Sequence, residues 1–195
     1  VVYGRGRDHE VVEVSTFRAY LDAEQADQVA GNEKTSKSEL AGKSHVVDAS
    51  GRVLRDNVWG SQLEDAARRD FTINAMYYDP VTQEVVDYHH GMRDLKKKTL
   101  RMIGDPATRY REDPVRLIRV VRFAAKLGFD IDPATRSPMP EAAALLSNVP
   151  ASRLFDEMIK LLQTGHAQKS VAQLKKMGLD RGIFPVLDAV LAPAK

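Results

Sequence analysis

Cysteine is missing from this chain altogether. Disulfides and thiolate zinc sites are therefore excluded, which fits a reducing, cytoplasmic compartment. No apolar run is long enough to span a bilayer and no signal peptide is visible, so no membrane association is expected. A large excess of one charge is lacking too. The 29 basic and 27 acidic residues leave a net charge of +2. A globally basic nucleic-acid binder is excluded on that count. An initiator methionine is absent: the chain begins at Val1, which reads as a cut, processed or incomplete start. What remains is an ordinary balance, 43% hydrophobic and 29% charged. Its 195 residues suffice for one domain or two small ones with a real core.

Charge is placed locally instead. Arg93, Lys96, Lys97, Lys98 and Arg101 form one basic cluster, and Arg109 to Lys126 holds another. Such patches bind phosphates without an extreme total charge, or are simply solvated helix faces.

Glu10 to Arg18 alternates and is rich in β-branched residues, so a strand is expected there. Val1 to Tyr3 is its hairpin partner, turning through Gly4-Arg5-Gly6. That Gly-x-Gly lacks the third glycine and the helix of a dinucleotide site. Asp22 to Ser44 is polar and without periodicity, the pattern of a mobile loop. Ser61-Gln62-Leu63-Glu64 fits a capping box, which predicts a short helix to about Arg69. Phe71 to Asp79 alternates next, Asp79-Pro80 turns, and Glu84 to Tyr88 returns as a second strand.

Beyond residue 104 the pattern becomes helical. Asp105-Pro106 and Asp132-Pro133 look like N-caps with proline at the first helical position. Helices are expected over about 114–127, 133–146, 151–163 and 167–177. The fold class is therefore α+β, with an all-helical part following a sheet-bearing one.

Two runs carry chemistry. Arg68-Arg69-Asp70-Phe71-Thr72-Ile73-Asn74 packs two guanidiniums, a carboxylate and an amide beside a strand-like alternation. Arginines offer forked donors suited to phosphate, and carboxylates accept from ribose hydroxyls. Structurally, Asp70 is instead a partner for Arg68 at a helix end. The second run is Glu112-Asp113-Pro114-Val115-Arg116, continued by Arg119 and Arg122. Residues three apart on a helix share a face, so Asp113 stands beside Arg116. An acceptor beside a forked donor matches the edge of adenine or cytosine, which pairs an amino donor with a ring-nitrogen acceptor. Guanine and uracil present the reverse order and would leave buried groups unpaired. Taken singly, Asp113 is a normal N-cap and Arg116 half of a surface ion pair.

Together these runs resemble the class II nucleotidyltransferases, the family of bacterial poly(A) polymerases and CCA-adding enzymes. The resemblance covers nearly the whole chain. It implies the remnant of a polymerase-β-like nucleotidyltransferase sheet domain over residues 1–104. A helical neck with the nucleotide-base template follows over 105–147, and the start of a helical RNA-binding body over 148–195. It implies that Arg69, Asp70 and Asn74 bind nucleotide phosphate and sugar, and that Asp113, Arg116, Arg119 and Arg122 belong to the base template. Arg153 and Lys160, in Arg153-Leu154-Phe155-Asp156-Glu157 and the Lys160-Leu161-Leu162 that follows, would contact RNA. Glu13 matches the glutamate of the family's Glu-x-x-Thr-x-Arg strand, which supports two metal-binding aspartates; otherwise it is a solvent-facing strand residue.

The implied activity is template-independent addition of AMP from ATP to an RNA 3′ end, with magnesium. The long polar loop and Leu54-Arg55-Asp56-Asn57-Val58-Trp59-Gly60-Ser61 look like the poly(A) polymerase branch. CCA addition to tRNA is the alternative, and a non-catalytic RNA-binding module the alternative from another class. The family's upstream Asp-x-Asp metal pair does not occur. Asp130-Ile131-Asp132 lies between helices before a proline and reads as a turn and N-cap. No metal ligand is therefore assigned, and the chain is expected to be inactive alone. His90 and Asp94 have a metal-like spacing, but two ligands are too few.

Overall fold

The computed structural model describes residues 2–3, 10–11, 13–19, 27–29, 45–48, 53–56 and 58–179. The first part contains short paired strands. β1 (Val2–Tyr3) pairs antiparallel with β2 (Glu10–Val11), the hairpin expected from the alternation. Its Gly4-Arg5-Gly6 turn lies outside the described residues. β3 (Asp27–Val29) runs parallel to β4 (His45–Asp48), which pairs antiparallel with β5 (Val53–Asp56). The expected loop from Asp22 to Ser44 therefore contains a strand; its remainder lies outside the described residues. The expected strand through Arg18 is also shorter. Residues 13–17 have no regular structure, and Arg18 makes a single bridge to Trp59.

α1 (Gln62–Arg68) starts as the capping box requires. Ser61 Oγ accepts the Glu64 N–H at 3.3 Å, and Glu64 accepts the Ser61 N–H at 2.7 Å. The expected strand from Phe71 is then interrupted. Thr72–Asn74 is a 3-10 turn, because the Asn74 side chain accepts the Phe71 N–H at 3.2 Å and folds the backbone locally. Only β6 (Met76–Asp79) remains, paired antiparallel with β7 (Glu84–Asp87). α2 (Gly91–Lys96) follows, with Asp87 accepting the N–H groups of Gly91 and Met92 at 2.8 and 2.9 Å. Burial pushes the Asp87 carboxyl upward, but these backbone donors outweigh it and hold the pKa low. α2 lies hard against the 3-10 turn. A Cβ on Gly91 would come within 2.2 Å of the Thr72 carbonyl oxygen, so only glycine fits.

β8 (Thr99–Leu100) precedes the helices α3 (Pro106–Glu112) and α4 (Val115–Leu127). Asp105 caps α3 as expected, accepting the Thr108 N–H at 2.8 Å. Asp113 does not cap α4. Its backbone N–H closes α3 onto the Arg109 carbonyl at 3.2 Å, and Pro114 precedes α4 without a side-chain cap. α4 ends at Gly128, whose φ of 66° is the left-handed conformation of a helix stop.

β9 (Asp130–Ile131) runs parallel to β8, a pairing that the expected turn at Asp130 did not include. Asp132 does cap, accepting the Thr135 N–H at 3.3 Å. The single helix expected over 133–146 is broken into α5 (Pro133–Arg136), α6 (Met139–Ala142) and a 3-10 segment Ala143–Asn148. Pro138 and Pro140 supply no N–H and clash with the preceding turn, which divides the helix. α7 (Ala151–Leu162) and α8 (Ala167–Lys176) match their expected spans.

One core crosses the change of pattern near residue 104. Phe71, Leu100 and Met102 are buried in the same cluster as Leu117, Ile118, Val121, Leu161 and Leu174. Each fully buried aliphatic side chain contributes about 1.5–3 kcal/mol. On α4, Val115, Ile118, Val121 and Ala125 are all 6% exposed or less. Thr135 stitches the layers. Its hydroxyl accepts the Met102 N–H at 3.0 Å, and its carbonyl accepts the Tyr110 hydroxyl at 2.8 Å. Among the described residues, no helix is long and apolar enough to cross a membrane.

Candidate functional site

The C-terminus of α1 delivers Arg68, Arg69 and Asp70 into the seam between the strands and α4. Helix ends leave carbonyls without intrahelical donors, and their partial negative charge attracts cations. Arg109, itself 2% exposed, supplies the donor: one guanidinium nitrogen bonds both the Arg68 and Arg69 carbonyls at 2.7 Å. α3 is thereby bound to the arginine run.

Asp70 then meets α4. Its two carboxylate oxygens take Arg116 Nε at 3.0 Å and Arg119 Nη2 at 2.7 Å. The three-residue spacing on α4 puts both guanidiniums on one face, as the sequence implied. Glu112 extends the cluster, accepting from Arg109 at 2.9 Å and from Arg116 at 3.0 Å. Arg116 Nη1 also donates to the Arg109 carbonyl at 2.8 Å. Burial alone would favour the neutral form of Arg116, but Asp70, Asp113 and Glu112 outweigh it and raise its pKa. It is a permanent cation held by carboxylates, not a surface arginine. Asp70 thus pairs across the molecule rather than with Arg68, which bridges to Asp65 at 3.5 Å.

Asp113 faces a third helix. Its Oδ2 takes Arg153 Nη2 of α7 at 2.8 Å, while its Oδ1 is buried with no hydrogen-bond partner. Arg122 turns toward α7 as well, pairing with Glu157 at 3.1 Å and standing 4.6 Å over the Phe123 ring. Lys160 shares Glu157 at 3.1 Å. So Asp70, Arg116 and Arg119 come together, Asp113 and Arg153 meet beside them, and Arg122 and Lys160 share a carboxylate further along.

Arg69 occupies the outer edge. Asp65 Oδ2 takes its Nε at 3.2 Å and its Nη2 at 3.0 Å, and its Cζ lies 5.3 Å from the Tyr77 ring centroid. Burial pushes the Asp65 carboxyl up, yet the Tyr77 hydroxyl, the Arg18 N–H and Arg69 together hold its pKa low. Asn74 uses its side-chain oxygen within the 3-10 turn and offers its carbonyl toward Arg69 at 3.5 Å. Glu13 is exposed in a segment without strand pairing, so the mid-strand position expected for it does not hold.

The His90–Asp94 spacing does not form a metal pair. Asp94 is fully buried, accepting from the Thr72 hydroxyl at 2.9 Å and Arg101 Nε at 3.0 Å. Asp132 of the Asp-x-Asp run is likewise taken, by Arg101 at 2.7 Å and by its capping bond. Among the described residues no group of three or more metal-ligating side chains occurs.

Sequence reading missed Asp65, Tyr77, Arg109, Glu112 and Glu157. Asp65 and Glu112 carried a signal: each precedes an arginine by four residues on a helical pattern. Glu157 carried the same kind of signal toward Lys160, three residues on, but not toward Arg122; Tyr77 carried none, because its partners Asp65 and Arg69 are distant in sequence.

Comparison with known proteins gives this arrangement a context. Residues 3–101 match the family model described as the poly A polymerase head domain. Residues 128–191 match one described as a probable RNA and SrmB-binding site of polymerase A. Poly(A) polymerase I of Haemophilus influenzae is 43% identical over 189 residues, 97% of this chain and 38% of that protein. The CCA-adding enzyme of Limosilactobacillus fermentum is 44% identical over 114 residues, 58% of this chain and 28% of that protein. A tRNA nucleotidyltransferase solved with a primer tRNA and an incoming ATP analogue superposes with a TM-score of 0.57 at 32% identity, covering 70% of this chain and 39% of that one. The chain spans little more than a third of the length of the poly(A) polymerase it matches.

Proposed function

The chain belongs to the poly(A) polymerase and CCA-adding nucleotidyltransferase family, and on that premise we propose that it binds the nucleotide and selects its base during transfer of AMP from ATP to an RNA 3′ end. One observation carries the reading. Asp113 keeps a buried acceptor, Oδ1, without a donor, beside an Arg116 fixed through Nε and Nη1. A buried acceptor left alone costs about 1–3 kcal/mol, and the amino group of adenine would relieve it. Arg116 retains Nη2 for the ring nitrogen. Its other nitrogens are held by Asp70, Glu112 and a backbone carbonyl, so the donor is oriented before the base arrives.

Arg119 shares Asp70 with Arg116 and fixes the depth of the site. Arg122 fastens α4 to α7 through Glu157. Arg69 receives phosphate, with Asn74 shaping the turn beneath it. Arg153 and Lys160 keep exposed ends, 45% and 59%, on the face of α7 that pairs with Asp113 and Glu157, in the segment proposed to meet RNA. The proposed reaction would use magnesium, as the family resemblance implies. Adenylation is favoured over CCA addition because the poly(A) polymerase match extends over 97% of this chain, against 58% for the CCA-adding enzyme.

The test is nucleotide selection by the full gene product. Asp113→Ala and Arg116→Lys should each lower the ATP-to-GTP ratio of kcat/KM roughly tenfold, the loss of one charged hydrogen bond. Melting is measured beside it, since Arg116 is buried. Unchanged ratios in both folded variants would sink the template. Incorporation of CTP as fast as ATP by the unmodified protein would favour CCA addition.

A further inference from the structure

We propose that Asp65 is a positioning residue for Arg69, holding its guanidinium in the orientation that receives the phosphates of the incoming nucleotide. The inference rests on the phosphate role given to Arg69 above. Its own basis is the geometry around a carboxylate that lies outside both of the runs described above.

An unrestrained arginine side chain sweeps a large volume, and ordering it on a ligand costs rotamer entropy. Arg69 is not unrestrained. One Asp65 oxygen accepts both Nε at 3.2 Å and Nη2 at 3.0 Å, which fixes one edge of the fork. The Tyr77 ring lies under the plane, 5.3 Å from Cζ. The Asn74 carbonyl approaches Nη1 at 3.5 Å. The side chain is still 43% exposed, whereas that of Asp65 is 6% exposed. A surface ion pair has both ends in water; here the anion is a buried anchor and the cation presents its remaining edge outward.

The anchor is itself overdetermined. The Tyr77 hydroxyl donates to Asp65 at 2.8 Å and the Arg18 backbone N–H at 3.2 Å. Phe17 packs edge-on against Tyr77 at 5.6 Å. Asp65 therefore gathers α1, β6 and the segment at Arg18 on one carboxylate. Its charge is shared among several donors, so Arg69 keeps positive potential for an anion. Pre-orienting a donor in this way improves binding by removing the ordering cost in advance.

The experiment is a double-mutant cycle on the full gene product, reading kcat/KM for ATP and for GTP with RNA saturating and melting temperature alongside. Asp65→Asn should lower kcat/KM for ATP roughly tenfold, the weight of one charge-assisted hydrogen bond. The ATP-to-GTP ratio should stay unchanged, because phosphates and not the base are concerned. Combined with Arg69→Ala, it should add nothing beyond Arg69→Ala alone. Tyr77→Phe, which removes one donor from the same carboxylate, should show the same pattern more weakly and serves if Asp65→Asn does not fold. A multiplicative loss in the double variant would mean that Asp65 acts on the fold at large, and would overturn the proposal. A normal kcat/KM for ATP in Arg69→Ala would instead overturn the phosphate role on which it rests. That result is distinguishable because base selection through Asp113 is measured separately.

Discussion

Asp70→Ala puts the ion cluster to its hardest test. Asp70 is 8% exposed and joins the arginine run at the end of α1 to the face of α4. Its removal deletes two charge-assisted contacts, at 3.0 and 2.7 Å. At about 1.5–3 kcal/mol each, the gross loss is about 3–6 kcal/mol. Two effects reduce it. Arg119, with 31% of its side chain exposed, turns to water, and Arg116 keeps Glu112 and the Arg109 carbonyl. A net destabilisation of about 2–4 kcal/mol is expected, near the low end of the range for breaking one partner of a buried pair. In a chain of this size that corresponds to a melting decrease of about 4–16 °C. Urea unfolding followed by circular dichroism is the assay. The midpoint should fall with the slope unchanged, as for a loss of contacts rather than a change in compactness. Lys160→Ala is the control: that side chain is 59% exposed, so its pair with Glu157 should be worth less than about 1 kcal/mol. If Asp70→Ala lies within about 0.5 kcal/mol of the parent chain, Asp70 does not tie α1 to α4 and the site is not pre-organised as described.

Two further outcomes follow from packing and charge. Gly91→Ala should destabilise by at least about 1–3 kcal/mol, since the added Cβ meets the Thr72 carbonyl at 2.2 Å and α2 must shift; a neutral substitution in thermal melting would contradict that close approach. Asp65 has a lowered pKa in the folded chain, so its contribution is complete above the unfolded value of about 3.9 and is lost as pH falls through the lower folded value. Asp65→Asn should therefore be less stable at neutral pH yet flatten the acid limb of the stability curve below about pH 4, and a parallel curve would refute the assignment.

Local order was legible wherever a short-range rule decides it. The Ser61–Glu64 capping box, the Asp105 and Asp132 caps and the β6–β7 hairpin depend on residues within a few positions, and all formed as expected. The extent of α4 was legible too. Errors came where two local rules compete or a partner is distant. Alternation from Phe71 suggested a strand, but the Asn74 side chain satisfied the Phe71 N–H first. Helical composition over 133–146 concealed two prolines that divide it.

Residue types and spacing by themselves determined the α+β class, the family resemblance and the alignment of Arg116 with Arg119, because helical geometry fixes which side chains share a face. Which carboxylate each arginine meets was decided only in three dimensions. Asp113 was locally suited to cap α4, yet α3 uses its backbone and Arg153 takes its side chain. Asp70 was locally suited to Arg68, yet it pairs with α4. A guanidinium has several donors and every nearby carboxylate is a reasonable partner on paper. Burial breaks that degeneracy, since inside the seam an unpaired charge is costly and only the arrangement that satisfies all of them together is stable.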